Sequence, residues 1–243
     1  MKLTIIIPAF DEARKISRDI SAAARFLAHH TDGGEIIVAD DGSQDATANI
    51  ARETPVPAGI ILHVLRSARH RGKGHALRSG MAASLGTYVM FADSGLTTPY
   101  DNAVRGLDLI QSGECQLAHA SRYLPGSVIR VPQHIDRKIA SHLFRLTLRL
   151  LLPVPRELTD TQCGFKVYQG DVARTLAREC IAEGFLFDVE MLLRARRHGF
   201  AVREFPIEWS CDRDSRLTFR RSSLSILHEM FAVRRALASA EKP

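Results

Sequence analysis

The sequence predicts an α/β fold, with a mostly parallel central sheet flanked by helices. Three observations predict it. Residues 2–8 (KLTIIIP) and 87–92 (TYVMFA) are nearly continuous apolar runs, as strands buried on both faces of a parallel sheet require. Strand-like runs alternate with helix-like stretches, the order that builds right-handed crossovers. Three of the runs end on carboxylates, at Asp11 and Glu12, at Asp40 and Asp41, and at Asp93. That is the edge of the sheet where α/β proteins bind ligands. The 243 residues, 45% of them hydrophobic, suffice for one large core. The expected division is one domain over residues 1–210, then a charged loop and basic helix over 211–243. This last part either belongs to the same domain or extends from it toward a membrane.

In chain order, the strand at 2–8 leads through Ala9, Phe10, Asp11 and Glu12 into a helix over 13–30. Ile16, Ile20, Ala24 and Leu27 recur there at helical spacing. A second strand spans 35–39, a second helix 45–53 and a third strand 60–65. Arg69 to Ala76 joins a basic cluster to two glycines at a helix start. Small residues there let backbone N–H groups approach an anion, and the helix dipole adds to the attraction. The GxxxxGK[ST] spacing of a Walker loop is missing. The strand at 87–92 ends on Asp93, with Pro99 opening the next helix, over 102–111. A strand at 116–120 precedes the loop of Ser121, Arg122 and Tyr123. Residues 134–152 read as a basic amphipathic helix, suited either to covering a core or to lying on a membrane surface. A polar loop from Thr159 enters a short strand. Asp188 and Glu190 read as a cap or first-turn charges of a helix running to His198. A strand at 201–207 and a final helix at 222–240 complete the chain.

Composition narrows the function. Net charge is +6 and charged residues make up 25% of the chain. With a pI near 9.4, that balance favours an anionic partner such as a phosphorylated substrate or anionic lipid. Nucleic acid is not expected: no binding module is present, and aromatic residues are only 7% of the chain. Four scattered cysteines without a CxxC pair read as reduced thiols of a cytosolic protein. The ten histidines form no metal-binding spacing. No signal peptide or apolar run of transmembrane length is expected.

The strand ends carry the chemistry. Carboxylates at two neighbouring ends can accept hydrogen bonds from ribose hydroxyls or a base N–H. A helix cap would explain either pair alone. Asp93 is placed to meet a ligand phosphate through a divalent cation. Arg122 could clamp a phosphate.

Taken together, seven stretches resemble the family-2 glycosyltransferases, nearest to the dolichyl-phosphate glucose and mannose synthases and their bacterial polyprenyl-phosphate relatives. They are IIIPAFDE (5–12), ADDGSQDAT (39–47), RGKGHAL (71–77), FADSGLTTP (91–99), SRYLPGS (121–127), DTQCGFK (160–166) and GFLFDVE (184–190). The resemblance implies a GT-A (Rossmann-like) fold followed by basic amphipathic helices, a nucleotide-diphosphate sugar donor and inversion at the anomeric carbon. It assigns Pro8, Ala9, Phe10, Glu12, Asp40 and Asp41 to the base and ribose, and Gly72, Lys73, Asp93 and Ser94 to the rest of the donor. Arg122, Arg137 and Ser141 go to the acceptor phosphate. Asp93, Asp160 and Arg122 form the catalytic group. The acceptor implied is a polyprenyl phosphate reached at the membrane surface by a peripheral, cytoplasmic protein, with a homo-oligomer allowed. DTQCGFK and GFLFDVE look closest to the glucose synthases, which favours UDP-glucose over GDP-mannose. The QxxRW motif of processive members is missing, so a single transfer is expected.

One departure concerns the metal. The family has Asp-x-Asp at the fourth strand end, whereas this chain has Asp93, Ser94 and Gly95. Asp93 and an oxygen from Thr97 remain for Mg2+ or Mn2+. The dependence could instead be weak, be rebuilt from other groups, or be replaced by charge on Arg71, Lys73 or Arg213. Rival readings are a water-soluble acceptor, a degenerate nucleotide-binding member and a sugar-nucleotide pyrophosphorylase. The last needs a basic, glycine-rich loop after the first strand, where this chain is acidic.

Overall fold

The computed structural model describes residues 2–212 and 223–239. Its elements are β1 (Leu3–Ala9), α1 (Ile16–His30), β2 (Gly34–Asp40), α2 (Thr47–Glu53), β3 (Ile60–Arg66), α3 (Lys73–Ala83), β4 (Tyr88–Ala92), α4 (Ala103–Gln111), β5 (Leu117–Ser121), β6 (Val128–Val131), α5 (Ile135–Leu151), β7 (Phe165–Gln169), α6 (Gly170–Glu179), α7 (Phe187–Arg197), β8 (Val202–Pro206), β9 (Glu208–Ser210) and α8 (Ser223–Ser239).

Every residue of β1 is buried because helices cover both faces of the sheet. Leu3, Ile5, Ile7 and Ala9 pack with Ile16, Ile20 and Leu27 of α1 and Leu107 of α4. Ile6, on the opposite side of the pleat, packs with Leu77 of α3, Leu176 of α6 and Phe187 of α7. Each such side chain, fully buried, contributes about 1.5–3 kcal/mol. Thr4 interrupts the run without cost in unsatisfied polar atoms. Its hydroxyl donates to Glu35 at 2.6 Å and accepts from the Gly86 N–H at 2.9 Å.

The seven strands lie in the order β3-β2-β1-β4-β7-β5-β8. All neighbours are parallel except β7, which runs antiparallel to both β4 and β5. This exception shapes the site. The parallel strands bring their carboxyl ends to one edge, and β7, running the other way, brings the loop that precedes it to the same edge.

The expected strands and helices are present, with shifted ends. α1 starts at Ile16, not near residue 13, because Glu12 accepts the N–H groups of Lys15 and Ile16 in a preceding turn. Pro99 opens a short 3₁₀ turn, Tyr100–Asn102, before α4. Three elements go beyond the sequence reading. β6 and β9 pair as a separate ribbon, and β6 (VIRV), though rich in β-branched residues, is only four residues long and largely exposed, too short for a strand period to show. α6 buries Val172, Ala173, Leu176 and Ala177 at helical spacing, with polar residues on its other face, a pattern that the sequence carries and the sequence reading did not take up.

α5 has two unlike faces. Leu148 is buried in the core, whereas Ile135, Ile139, Leu143, Leu146 and Leu150 are exposed. α8 packs on α5 and buries Met230, Val233 and Leu237 in the same core as α3, α6 and α7. Among the described residues, no helix is long and apolar enough to cross a membrane.

Candidate active site

The ends of β1 and β2 are stitched together by short polar contacts. Pro8 and Ala9 pair in register with Ala39 and Asp40. Asp11, at φ 51°, accepts the Gln44 N–H at 2.7 Å and donates its own N–H to Ser43 at 2.8 Å. Asp40 is buried and accepts the N–H and hydroxyl of Ser43, with Arg66 3.4 Å away. Asp41 accepts the N–H groups of Arg71 and Gly72 and pairs with His70 at 2.7 Å. Phe10 stacks on His70 at 3.9 Å. The two aspartates therefore shape the turns around the strand ends, and Asp41 fixes the loop that starts α3. Glu12 lies 3.9 Å from Lys15.

At the first residue of α3, Lys73 turns its ammonium to the end of β4, 2.7 Å from Asp93 and 3.1 Å from Asp188. Burial works against its charge, but Asp188 and Asp93 outweigh burial and raise its pKa above the ordinary lysine value. Lys166, fully buried in β7, donates to Asp188 at 2.6 Å. Burial opposes ionisation of Asp188, yet Lys166 and Lys73 hold its pKa below the usual carboxylate value. Both lysines lie over the Phe91 ring, at 5.5 and 5.2 Å. Asp188 is thus more than a first-turn charge of α7: it joins two ammonium groups. Glu190 faces the preceding loop, accepting the N–H groups of Ile181 and Ala182. Asp93 is backed by the chain at Gly164, whose carbonyl accepts the Asp93 N–H at 2.9 Å. A Cβ on Gly164 would run into the Asp93 carboxylate, so that approach requires glycine.

Arg122 and Asp160 form a buried two-pronged pair, Nε to Oδ2 at 2.6 Å and Nη2 to Oδ1 at 2.9 Å. Burial would raise the Asp160 pKa, but Arg122 brings it down to about 2. The guanidinium also lies 5.2 Å from the Trp209 ring centre. The loop before β7 is held from beneath by Glu204, which accepts the N–H groups of Thr159 and Asp160. His119, with no exposure, sits 3.4 Å from Glu204.

Arg137 and Ser141, which the resemblance assigns to the acceptor phosphate, both lie on α5. Arg137 approaches Cys211 and the Asp212 carbonyl, at 3.6 and 3.5 Å from Nη1. Ser141 is one turn further along, half-buried. Arg71 pairs with Glu183, and Arg213 lies outside the described residues. Ser94 sits in the turn after β4, half-buried.

Whether a divalent cation fits can be read at Gly95. A side chain there would meet the Asp212 carboxylate, with Oδ2 only 2.8 Å from the Cβ position. Lys73 sits on Asp93 and Lys15 on Asp212, each at 2.7 Å. Both carboxylates therefore already hold cationic nitrogens. Among the described residues no three His, Cys, Asp or Glu side chains converge as a metal cluster. Mg2+-type sites that also take substrate phosphates use one or two carboxylates, and Asp212, whose Oδ2 stands 2.8 Å from the Cβ position of Gly95, offers one beside the turn that follows Asp93.

Sequence reasoning did not reach Lys15, Asp19, His119, Lys166, Glu204 or Asp212. Lys166 closes the DTQCGFK stretch, and a lysine in an apolar strand is a legible anomaly. The others depend on contacts between distant segments.

A family model described as "Glycosyl transferase family 2" matches residues 4–176. The glycosyltransferase AglD of Haloferax volcanii is 30% identical over 228 residues, covering 93% of this chain and 36% of that protein. The chain therefore spans little more than a third of that relative. A dolichyl-phosphate beta-glucosyltransferase of Drosophila melanogaster is 30% identical over 249 residues, covering 96% of this chain and 74% of that protein. Among solved structures, glucosyl-3-phosphoglycerate synthase from Mycobacterium tuberculosis, in complex with Mn2+, UDP and glucosyl-3-phosphoglycerate, superposes with a TM-score of 0.71. That match is 20% identical in sequence and covers 96% of this chain and 80% of the other. This likeness shows the GT-A fold.

Proposed function

The chain belongs to glycosyl transferase family 2, and from that premise we propose that it moves a single hexose from a nucleotide-diphosphate sugar to a polyprenyl phosphate at a membrane surface, with inversion. UDP-glucose is the favoured donor and GDP-mannose the next. The observation that carries the reading is the double character of α5. Its inner side brings Arg137 to the edge of the site, while its outer side exposes five large apolar residues beside Lys138 and Arg149. One helix thus joins the strand ends to a surface suited to lipid. Relatives described as dolichyl-phosphate beta-glucosyltransferases support the same acceptor class.

The acceptor supplies its own nucleophile. A phosphomonoester has a second pKa of about 6 and is largely dianionic at neutral pH, so no strong base is needed. A phosphate oxygen bonds to the anomeric carbon as the bond from that carbon to the nucleoside diphosphate breaks, and the diphosphate departs with the electron pair. What the protein must supply is alignment and positive charge on the leaving group. Lys73, held charged at the end of β4, is placed for the second task. Arg137 and Ser141 are assigned to the acceptor phosphate. Arg122, committed to Asp160, holds the loop between donor and acceptor sides. A divalent cation bound at Asp93 would neutralise further charge on the departing diphosphate.

The test is incubation with a polyprenyl phosphate and labelled UDP-glucose or GDP-mannose, in Mg2+, Mn2+ or EDTA. Label extracted into organic solvent is the expected result and names the donor. Label transferred only to a water-soluble acceptor would replace the lipid. Nucleotide binding without transfer to any acceptor would indicate a degenerate member.

A further inference from the structure

The lost carboxylate of the β4 turn has a structural counterpart far along the chain. Gly95 takes φ 94°, a left-handed conformation that favours glycine, and its N–H donates to the buried Asp19 at 2.6 Å. A Cβ at Gly95 would lie 2.8 Å from Asp212 Oδ2, 3.4 Å from Cγ and 3.9 Å from Cβ. The Asp212 carboxylate therefore enters, oxygen first, the space that a side chain at 95 would occupy. Backbone bonds hold it in place: the Ser210 N–H donates to the Thr97 carbonyl at 2.8 Å, and the Cys211 N–H to the Val131 carbonyl at 2.9 Å. The segment bearing Asp212 is thus tied directly to the turn that follows Asp93.

We propose that Asp212 supplies the second carboxylate of a divalent-cation site, together with Asp93, in place of the side chain that Gly95 lacks. The inference rests on the nucleotide-sugar reading above, because the remaining ligands would be diphosphate oxygens and water, as hard cations at phosphate sites require. Lys15 on Asp212 and Lys73 on Asp93 do not exclude the ion, since an ionised carboxylate offers about four lone-pair sites. The two ammonium groups keep the pair of carboxylates neutralised until cation and diphosphate enter together. A side chain at 95 and the Asp212 carboxylate as it lies would compete for the same space, so one would have to turn aside for the other.

Mn2+ binding, followed by loss of the free-ion electron paramagnetic resonance signal with and without UDP or GDP, tests this without relying on turnover. The wild type is expected to take up one Mn2+ in the presence of nucleotide. Asp212→Asn should weaken that uptake at least tenfold with an unchanged melting temperature, as should Asp93→Asn, while Lys15→Met should not weaken it. Equal Mn2+ affinity in Asp212→Asn and wild type would overturn the proposal. So would a wild type that binds nucleotide with no Mn2+ uptake while Lys15→Met or Lys73→Met loses the nucleotide, which would make an ammonium the replacement for the ion. Uptake of Mn2+ with nucleotide but no transfer to polyprenyl phosphate would sink the acceptor reading and leave this one standing. If neither nucleotide binds, Mn2+ alone is titrated, and no uptake overturns both.

Discussion

Arg122 donates to Asp160 from Nε and Nη2 at 2.6 and 2.9 Å, and this pair closes the loop before β7 over the end of β5. Asp160 has no exposed surface. Removing one partner leaves a buried charge without compensation, which costs about 3–5 kcal/mol. Asp160→Asn and Arg122→Met should each lower unfolding free energy in urea by that order, and the double variant by less than their sum. A loss below about 1 kcal/mol in both single variants would mean that the loop relaxes and the pair is not a clamp.

The same pair gives an acid signature. Asp160 titrates near pH 2 when folded, against about 3.9 unfolded. Its folded pKa is depressed, so its contribution is fully present above pH 4 and is lost as pH falls through the folded value. That contribution is about 2–3 kcal/mol. In Asp160→Asn the acid limb of the stability curve between about pH 4 and 2 should be flatter than in wild type, and parallel limbs would refute the assignment.

His119 adds a second pH-dependent element with the same sign. Burial lowers its pKa first of all, opposed by Glu204 and reinforced by Lys166. The unfolded histidine titrates near 6.5, so the stability it lends is present above that value and is lost as pH falls below it. Its ring nitrogens make no hydrogen bond within good geometry, so His119→Phe should fold and should lose stability less steeply on acidification from about pH 6.5 to 5. An unchanged slope in urea titrations at several pH values would place the titration elsewhere.

Lys73 bridges Asp93 and Asp188, and the role proposed for it on the donor can be tested by separating charge from packing. Under that reading, Lys73→Met would leave both carboxylates uncompensated beside the diphosphate. UDP affinity by calorimetry should fall at least tenfold, the scale of one lost charge-assisted bond at about 1.5–3 kcal/mol. Lys73→Arg should not restore it, because a planar fork does not fit between two carboxylates set for a compact ammonium. Full rescue by arginine would make the contact merely electrostatic.

The central strands were legible because burial on both faces leaves a continuous apolar run, as in β1. The strand-end aspartates were legible as a set, but not their division of labour. Asp40 and Asp41 are occupied by Ser43, His70 and the N–H groups of the 71–72 loop. Nothing local in the sequence distinguishes such a scaffold carboxylate from one aimed at ligand. Asp188 looked like a first-turn charge because its partners, Lys73 and Lys166, come from another helix and from β7. Asp212 was out of reach for the same reason. Its relation to Gly95 exists only once β9 is docked against the β4 turn. The basic amphipathic character of α5 was legible, while which of its apolar residues stay uncovered depended on how α8 packs on it.

That uncovered face gives the last prediction. Leu143 is 57% exposed and Leu146 50%, so replacing them should cost little folding energy, since surface changes usually fall within about 0.5 kcal/mol. On a bilayer the same side chains would enter the headgroup boundary, and each is worth about 1.5–3 kcal/mol when fully buried. Leu143→Glu/Leu146→Glu should therefore leave the melting temperature near wild type and reduce sedimentation with anionic lipid vesicles at least tenfold. Lys138→Gln/Arg149→Gln should reduce it less, and mainly at low salt, because the charges act through a screened surface potential. The two effects are separable in one experiment with vesicles of phosphatidylcholine and phosphatidylserine at two salt concentrations. If the glutamate pair binds vesicles like the wild type, α5 does not dock on lipid, and the proposed acceptor would need another route to Arg137.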